Sequence, residues 1–321
     1  MTPRRLSLLK PTGRLTLGNL LGALRPMAAG QEESDCFYGI ADLHALTVAH
    51  DPATLREHVR EQATLLLAVG LDRSTLFVQS RVPAHPQLGY LLECVATTGE
   101  LNRMIQFKEK GRTQPSTRVS LYTYPALMAA DILLYGPAQV PVGDDQRQHV
   151  ELTRDLAVRF NNAYGPVFTV PEITTPPVGA RVMDLADPIS KMGKSQADGT
   201  GVIRLLDPPD VVRRKVARAV TDSETGPTAV RSDREHKPGV TNLLDILAAC
   251  GGSTEDITTY GALKQAATDV VVEQLEPIQR RYAELTADPS HVEKVYAAGE
   301  AHCREVTAPV LGAVESAIGL R

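Results

Sequence analysis

FYGIADLHALTVAHDPATLREHVREQATLLLAVGLDRSTLFV, residues 37–78, decides the fold class. Phe37–Ala41 and Thr75–Val78 are short apolar runs of strand length. Between them Asp51 is a good N-cap and Pro52 a good first helical residue. Leu55, Val59, Gln62 and Leu66 then recur at helical spacing, and Gly70 ends the run. Strand, helix, strand of these lengths reads as a right-handed crossover between parallel strands. Upstream, Leu6–Leu9 supplies another strand. Downstream, one helix is expected to start near Pro125, and another to run from Gln146 to Phe160 with Val150, Thr153, Leu156, Ala157 and Phe160 on one face. After about Ser195 the texture changes, and from Pro208 helix follows helix. DPPDVVRRKVARAV places Val212, Val216 and Ala219 on one face, with Arg213, Arg214 and Arg218 toward solvent. The expectation is an α/β fold: a Rossmann-type parallel-sheet domain over residues 1–195, then a mostly helical domain over 196–321 whose last helix packs back on the first.

The 321 residues suffice for one large unit and a smaller one. With 43% hydrophobic and 22% charged residues, the chain has an ordinary globular balance. No apolar run reaches the ~20 residues that cross a bilayer, and the N-terminus has no secretory h-region. Cys36, Cys94, Cys250 and Cys303 are far apart and form no CxxC pair, which argues against a zinc site or a disulfide framework and for a reduced cytoplasmic setting. A net charge of −4 gives no global pull on nucleic acid, so an RNA partner needs a local basic patch. Arg213, Arg214, Lys215 and Arg218 form one candidate, with a solvated helix face as the alternative.

Three stretches carry candidate chemistry. KPTGRLTLGNLLGAL, from Lys10, follows a strand and opens a helix near Gly18. A helix N-terminus offers free N–H groups and a positive dipole end to a phosphate, and Gly18 lets a nucleotide lie close to the backbone. KMGKS, Lys191 to Ser195, sets two lysines three apart around a glycine, an arrangement that can close over a polyphosphate. PVGDDQRQHVEL, from Pro141, precedes a helix; Asp145 can accept from ribose hydroxyls and Gln146 can bond a bound amino acid. Each alone also fits an ordinary turn or cap. Their conjunction is far more specific.

The order of KPTGRLTLGN, LMAADILLYG, PVGDDQRQHVELTRDLAVRFN, VGARVM, KMGKS, AVTDSE and KPGVTNLLDI resembles the tryptophanyl-tRNA synthetases, from about Leu6 to the C-terminus. The resemblance implies a class I catalytic domain, a helical anticodon-binding domain, a homodimer, Mg²⁺-ATP as cosubstrate, and L-tryptophan and tRNA(Trp) as partners, with no DNA and no membrane. Its reaction is attack of the tryptophan carboxylate on the ATP α-phosphate, then transfer to the 2′-hydroxyl of the terminal adenosine. TLGN, Thr16 to Asn19, stands where the class carries HIGH, and KMGKS stands for KMSKS. By the same matching, Lys10, Pro11, Thr12, Gly18, Asn19, Gly143, Asp144, Asp145, Val182, Lys191, Met192, Gly193, Lys194 and Ser195 line the ATP site. Thr16 donates to a phosphate oxygen, and Lys110 occupies the place of a loop lysine that approaches the triphosphate. Lys191, Lys194, Lys110 and Lys10 carry the leaving-group charge.

Asp131 carries the amino-acid argument. It lies among Leu127, Ala130, Leu133 and Leu134, and a carboxylate in such a run is costly unless paired. Indole offers one polar atom, an N–H donor, which Asp131 can accept; a phenyl ring offers none. Tyr124, Met128, Val140, Val142, Gln146 and His44 are the expected remaining contacts of the amino acid.

Three positions depart from the family pattern. Leu8 replaces a glycine and Lys10 a glutamine at the end of the first strand, and Gly193 replaces the serine of KMSKS. A cation gained at Lys10 offsets a hydroxyl lost at Gly193 on the same phosphate site, and the altered strand suggests an auxiliary, inhibitor-resistant copy. A tyrosyl-tRNA synthetase and a catalytically weak tryptophan-sensing paralogue stay open as rival readings.

Overall fold

Arg4–Leu9 forms strand β1, and the computed structural model describes residues 4–110, 117–137, 139–141, 144–174, 180–194 and 199–321. From β1 the chain enters a helical stretch, α1 (Leu17–Asn19), a π-helical turn and α2 (Arg25–Ala29). Then come β2 (Asp35–Ile40), α3 (Asp42–Ala45), α4 (Pro52–Ala68), β3 (Thr75–Val78), α5 (Ala84–Glu93), α6 (Thr98–Arg103), α7 (Ile105–Lys110), α8 (Val119–Tyr135), β4 (Gln139–Pro141), α9 (Asp144–Tyr164) and β5 (Glu172–Thr174). The rest of the described chain is helical: α10 (Pro209–Ala217), α11 (Pro238–Ala249), α12 (Tyr260–Ala287) and α13 (Pro289–Ala317).

The first three strands pair in parallel in the order β1-β2-β3, with Leu9 opposite Ile40 and Ile40 opposite Val78. β4 pairs in parallel with β5 and lies beside β1. The fold is thus the Rossmann-type α/β arrangement. Being parallel, β1, β2 and β3 end along one edge of their sheet, where such folds bind ligands. The crossover from β2 to β3 is built as its residues dictate: the Asp51 carboxylate accepts from the Thr54 N–H at 2.7 Å, Pro52 opens α4, and Gly70 takes a left-handed φ of +97°.

One expectation is corrected. Pro125 does not start a helix; α8 begins at Val119, where Arg118 is still extended (ψ 140°), and Pro125 sits inside it. An interior proline forfeits one helical hydrogen bond and costs about 3 kcal/mol. That cost is offset because Ala126, Ala129, Ala130, Leu133 and Leu134 of the same helix are fully buried.

Among the described residues, the largest of three apolar clusters spans residue 195. Leu17, Leu20, Leu66 and Leu76 share one apolar cluster with Leu205, Val212, Val216, Leu243, Val271 and Tyr296. α13 covers β3, the edge strand, and the buried Glu300 carboxylate lies 3.4 Å from the Arg81 guanidinium just past that strand. Covering an edge this way removes unpaired strand groups from solvent. The approach requires Gly299, because a Cβ there would overlap the Leu76 carbonyl oxygen. Ordinarily Gly→Ala inside a helix stabilises by roughly 0.5–1 kcal/mol. Here the sign reverses: Gly299→Ala is expected to cost about 1–3 kcal/mol by overpacking, read as a lower urea midpoint at unchanged slope. A raised midpoint would contradict this packing.

Candidate active site

Loops at the carboxyl ends of the strands bring two chemical halves together. The first is a buried polar network centred on Asp131, in the C-terminal half of α8 and 3% exposed. Its Oδ1 accepts from Gln79 Nε2 and from His85 Nδ1, both at 2.7 Å, and its Oδ2 accepts from His44 Nε2 at 2.7 Å. Since an ionised carboxylate can only accept, His85 carries a proton on Nδ1, and its Nε2 bonds the Tyr135 hydroxyl at 3.0 Å. Burial pushes the Asp131 carboxyl up, but the charge of His44 and the bonds from His44 and His85 outweigh it and hold it at about 2. Among the described residues, these bonds fill three of roughly four lone-pair positions on the carboxylate. The remaining one is on Oδ2.

Apolar walls stand beside this network. Met128, Ile132, Val140 and Val150 pack with Leu6 and Ile173. The Tyr124 hydroxyl bonds His149 Nε2, its ring stands edge-on to His44, and burial pushes its hydroxyl up to about 12. Asp42 ties the loop after β2 to the loop after β3 by accepting from the Ser80 N–H at 2.9 Å. The positions of His44 and Gln79 are thereby coupled.

The second half lies over the end of β1. The Lys10 ammonium bonds Thr47 Oγ1 at 3.1 Å, and that hydroxyl donates to the His44 carbonyl. Lys194 Nζ donates to the Lys10 carbonyl at 3.2 Å, and burial lowers its ammonium to about 8. The lysine-bearing loop sits directly on the turn after β1: a Cβ on Gly13, whose φ is +140°, would come within 2.7 Å of the Lys194 carbonyl oxygen. At Gly193 a Cβ would meet, among the described residues, only the Lys191 carbonyl oxygen at 3.8 Å.

Several expected ligand contacts are otherwise engaged. Thr16 is fully buried, and its hydroxyl donates to Asn19 Oδ1 (3.1 Å) and accepts from the Asn19 N–H (3.3 Å). The Thr16 hydroxyl thus caps the turn that opens the first helix. A Cβ on Gly18 would lie 3.4 Å from the Met192 carbonyl oxygen, an ordinary contact. Val182 and Met192 point into the core, and the Val182 carbonyl accepts the Met192 N–H. Leu8 packs in the second apolar cluster and close to Gly39. Pro11 is buried, while Thr12 and Gln146 are half-buried and Lys191 is exposed. Val142, Gly143 and Ser195, and the side chains of Lys110, Asp144 and Asp145, lie outside the described residues. In the candidate RNA patch, Lys215 is bound to Asp207 (2.7 Å) and the Val202 carbonyl, while Arg213, Arg214 and Arg218 are exposed and Arg214 also pairs with Asp210.

Gln79, His85 and Tyr135 escaped the sequence reading. Their contacts to Asp131 or to each other span 46 to 52 residues, except within α8, and no local pattern marks them. A histidine followed by proline, just past the end of a strand, was the one available signal.

Comparison with known proteins gives a consistent picture. The family model for class I tRNA synthetases (W and Y) matches residues 4–281. A protein named tryptophan–tRNA ligase 1 in Streptomyces avermitilis is 55% identical over 97% of each chain. The tryptophan–tRNA ligase of Bacillus anthracis is 47% identical over 97% of this chain and 96% of that one. Among solved structures, tryptophanyl-tRNA synthetase from Mycoplasma pneumoniae superposes with a TM-score of 0.88 at 36% identity, covering 100% and 99% of the two chains. The Campylobacter jejuni enzyme, solved with ADP and tryptophan, gives 0.84 at 29%, over 98% and 99%.

Proposed function

The chain belongs to the class I tRNA synthetases of the W and Y family, and from that premise we infer how its own residues carry the reaction. The activity is tryptophan–tRNA ligation, with ATP as the activating substrate. Tryptophan is read by Asp131. The observation that carries this is the acceptor position on Oδ2 that no described residue takes up, on a carboxylate whose other partners are fixed. The indole N–H fills that position, with Met128 and Val140 against the ring and Tyr124 and Gln146 toward the amino acid's polar end. The tyrosine rival is weaker on the same ground, because a phenol brings an acceptor as well as a donor to this acceptor.

Lys191, Lys194 and Lys10 act on the triphosphate side, with Lys110, Thr12, Asn19, Asp144 and Asp145 as further contacts. Activation needs little covalent work from the protein; positioning and charge stabilisation supply the rate. Mg²⁺ enters on the phosphates, as this ion commonly does. Among the described residues no group of three His, Cys, Asp or Glu side chains converges on one point. tRNA(Trp) is the acceptor, residues 196–321 are assigned to anticodon recognition, and the setting is cytoplasmic; no described helix is long and apolar enough to cross a membrane. A homodimer is supported by the exposed apolar side chains of Val48 and Val119, on segments joined through the Arg118 side chain and the Leu46 carbonyl.

The test is ATP–pyrophosphate exchange with each amino acid in turn. Exchange with tryptophan is expected to exceed that with tyrosine by on the order of 10³-fold or more, and the same preparation is expected to sediment as a dimer. Exchange with tyrosine alone, or with neither, would overturn the reading.

A further inference from the structure

KPGVTNLLDI, at the start of α11, is far along the chain from every residue assigned above, yet it grips the segment that carries the lysines. Residues 182–192 form a short antiparallel hairpin: Met192 N–H donates to the Val182 carbonyl at 3.1 Å, and Asp184 N–H to the Ser190 carbonyl at 2.9 Å. Met183 and Lys191 are therefore the facing pair between those bonds. By the alternation of a strand, the N–H and C=O of Met183 point to the opposite edge. There Asn242 takes both. Its Oδ1 accepts from the Met183 N–H at 2.9 Å, and its Nδ2 donates to the Met183 carbonyl at 3.0 Å. One buried carboxamide thus stands in for a missing third strand.

Neighbouring residues hold Asn242 in place. The Leu185 carbonyl, next along the same edge, accepts from the Val220 N–H at 2.8 Å. Gly239 lets α11 sit against the Val220 carbonyl, where a Cβ would overlap it. The Lys237 ammonium, in the residue before α11, bonds both Asp222 carboxylate oxygens and the Tyr260 hydroxyl at 2.9 Å.

We propose that Asn242 is a positioning residue for the first step of the reaction: by pairing with Met183 it fixes the hairpin edge from which Lys191 and Lys194 approach the triphosphate. This rests on the assignment of those lysines to the phosphates. Because the Asp131 network is carried by α8 and the loops after β2 and β3, Asn242 acts on ATP and not on tryptophan.

Pyrophosphate exchange by Asn242→Ala tests this. A displacement of about 1 Å at a reacting group costs on the order of 10²-fold, so kcat/KM for ATP is expected to fall at least ~10-fold. KM for tryptophan should stay within ~2-fold, and so should transfer to tRNA from preformed adenylate. Should Asn242→Ala fail to fold, Asn242→Gln keeps both groups one methylene further out and is expected to give the same ATP-specific loss. A folded variant with unchanged ATP kinetics, or with ATP and tryptophan parameters falling together, overturns the proposal. Lys194→Met is measured in parallel: if it too leaves ATP kinetics unchanged, the lysine assignment fails, and the clamp with it.

Discussion

Asp131→Asn is expected to lower kcat/KM for tryptophan by on the order of 10³–10⁴-fold, with KM for ATP little changed. The substitution keeps shape and burial, so the loss isolates hydrogen-bond polarity. An asparagine at this position has one acceptor oxygen. If that oxygen stays with Gln79 and His85, as Oδ1 does now, the amide nitrogen takes the place of Oδ2. His44 can move its proton and accept from that nitrogen, but an indole N–H cannot. A donor then faces a donor at the substrate. The network also narrows the original sequence argument. A phenyl ring would not leave the whole carboxylate unpaired; it would leave one position on Oδ2 empty, since three donors remain. Discrimination against phenylalanine therefore rests on that one position together with the fit of the ring. Stability gives a second readout. The Asp131 carboxyl lies at about 2, against 3.8 when unperturbed. Because the folded value is the lower one, its contribution is complete above about pH 4 and is lost as pH falls through 2. The stability gap between the wild-type chain and Asp131→Asn should close across that window. A loss in tryptophan kcat/KM below ~10-fold would sink the assignment.

Lys194→Met is expected to lower kcat in pyrophosphate exchange by on the order of 10²–10³-fold, the range for removing one preorganised charge from a transition state. The resting geometry makes a proton-linked prediction as well. Burial lowers the Lys194 ammonium to about 8 from 10.5. Between those values the unfolded chain binds the extra proton, so this group makes stability rise with pH from about 8 to about 10.5. A bound triphosphate restores the charged form. ATP binding should then take up roughly half a proton at pH 8 and almost none at pH 6, measurable by titration calorimetry in buffers of different ionisation enthalpy. In Lys194→Met the uptake should vanish. Equal uptake in both proteins would show that another group titrates.

Local sequence carried the sheet and several helices because their causes are local. Thr75–Val78 is a strand, Asp51 caps α4, and Val212, Val216 and Ala219 are the buried face their spacing implies. Where the reading failed, the deciding force acts over distance. Pro125 looks like a helix start until the burial of the rest of α8 is weighed. Asp131 was legible as a costly carboxylate, but His85 and Gln79, which make it tolerable, reach it across long stretches of chain. The 195 boundary follows a real change of texture, yet side chains from both sides of it share one apolar cluster. Asn242 belonged to a motif already noticed, but its partner is a backbone group 59 residues away, which no side-chain pattern reveals.

The measurement that bears most directly on the account is a crystal structure of the chain with tryptophan and a non-hydrolysable ATP analogue. The indole nitrogen should lie within hydrogen-bond distance of Asp131 Oδ2, with His44, Gln79 and His85 still in place and Lys194 Nζ moved from the Lys10 carbonyl to a phosphate oxygen. An indole nitrogen bonded elsewhere, with Asp131 left to its three protein partners, would contradict it.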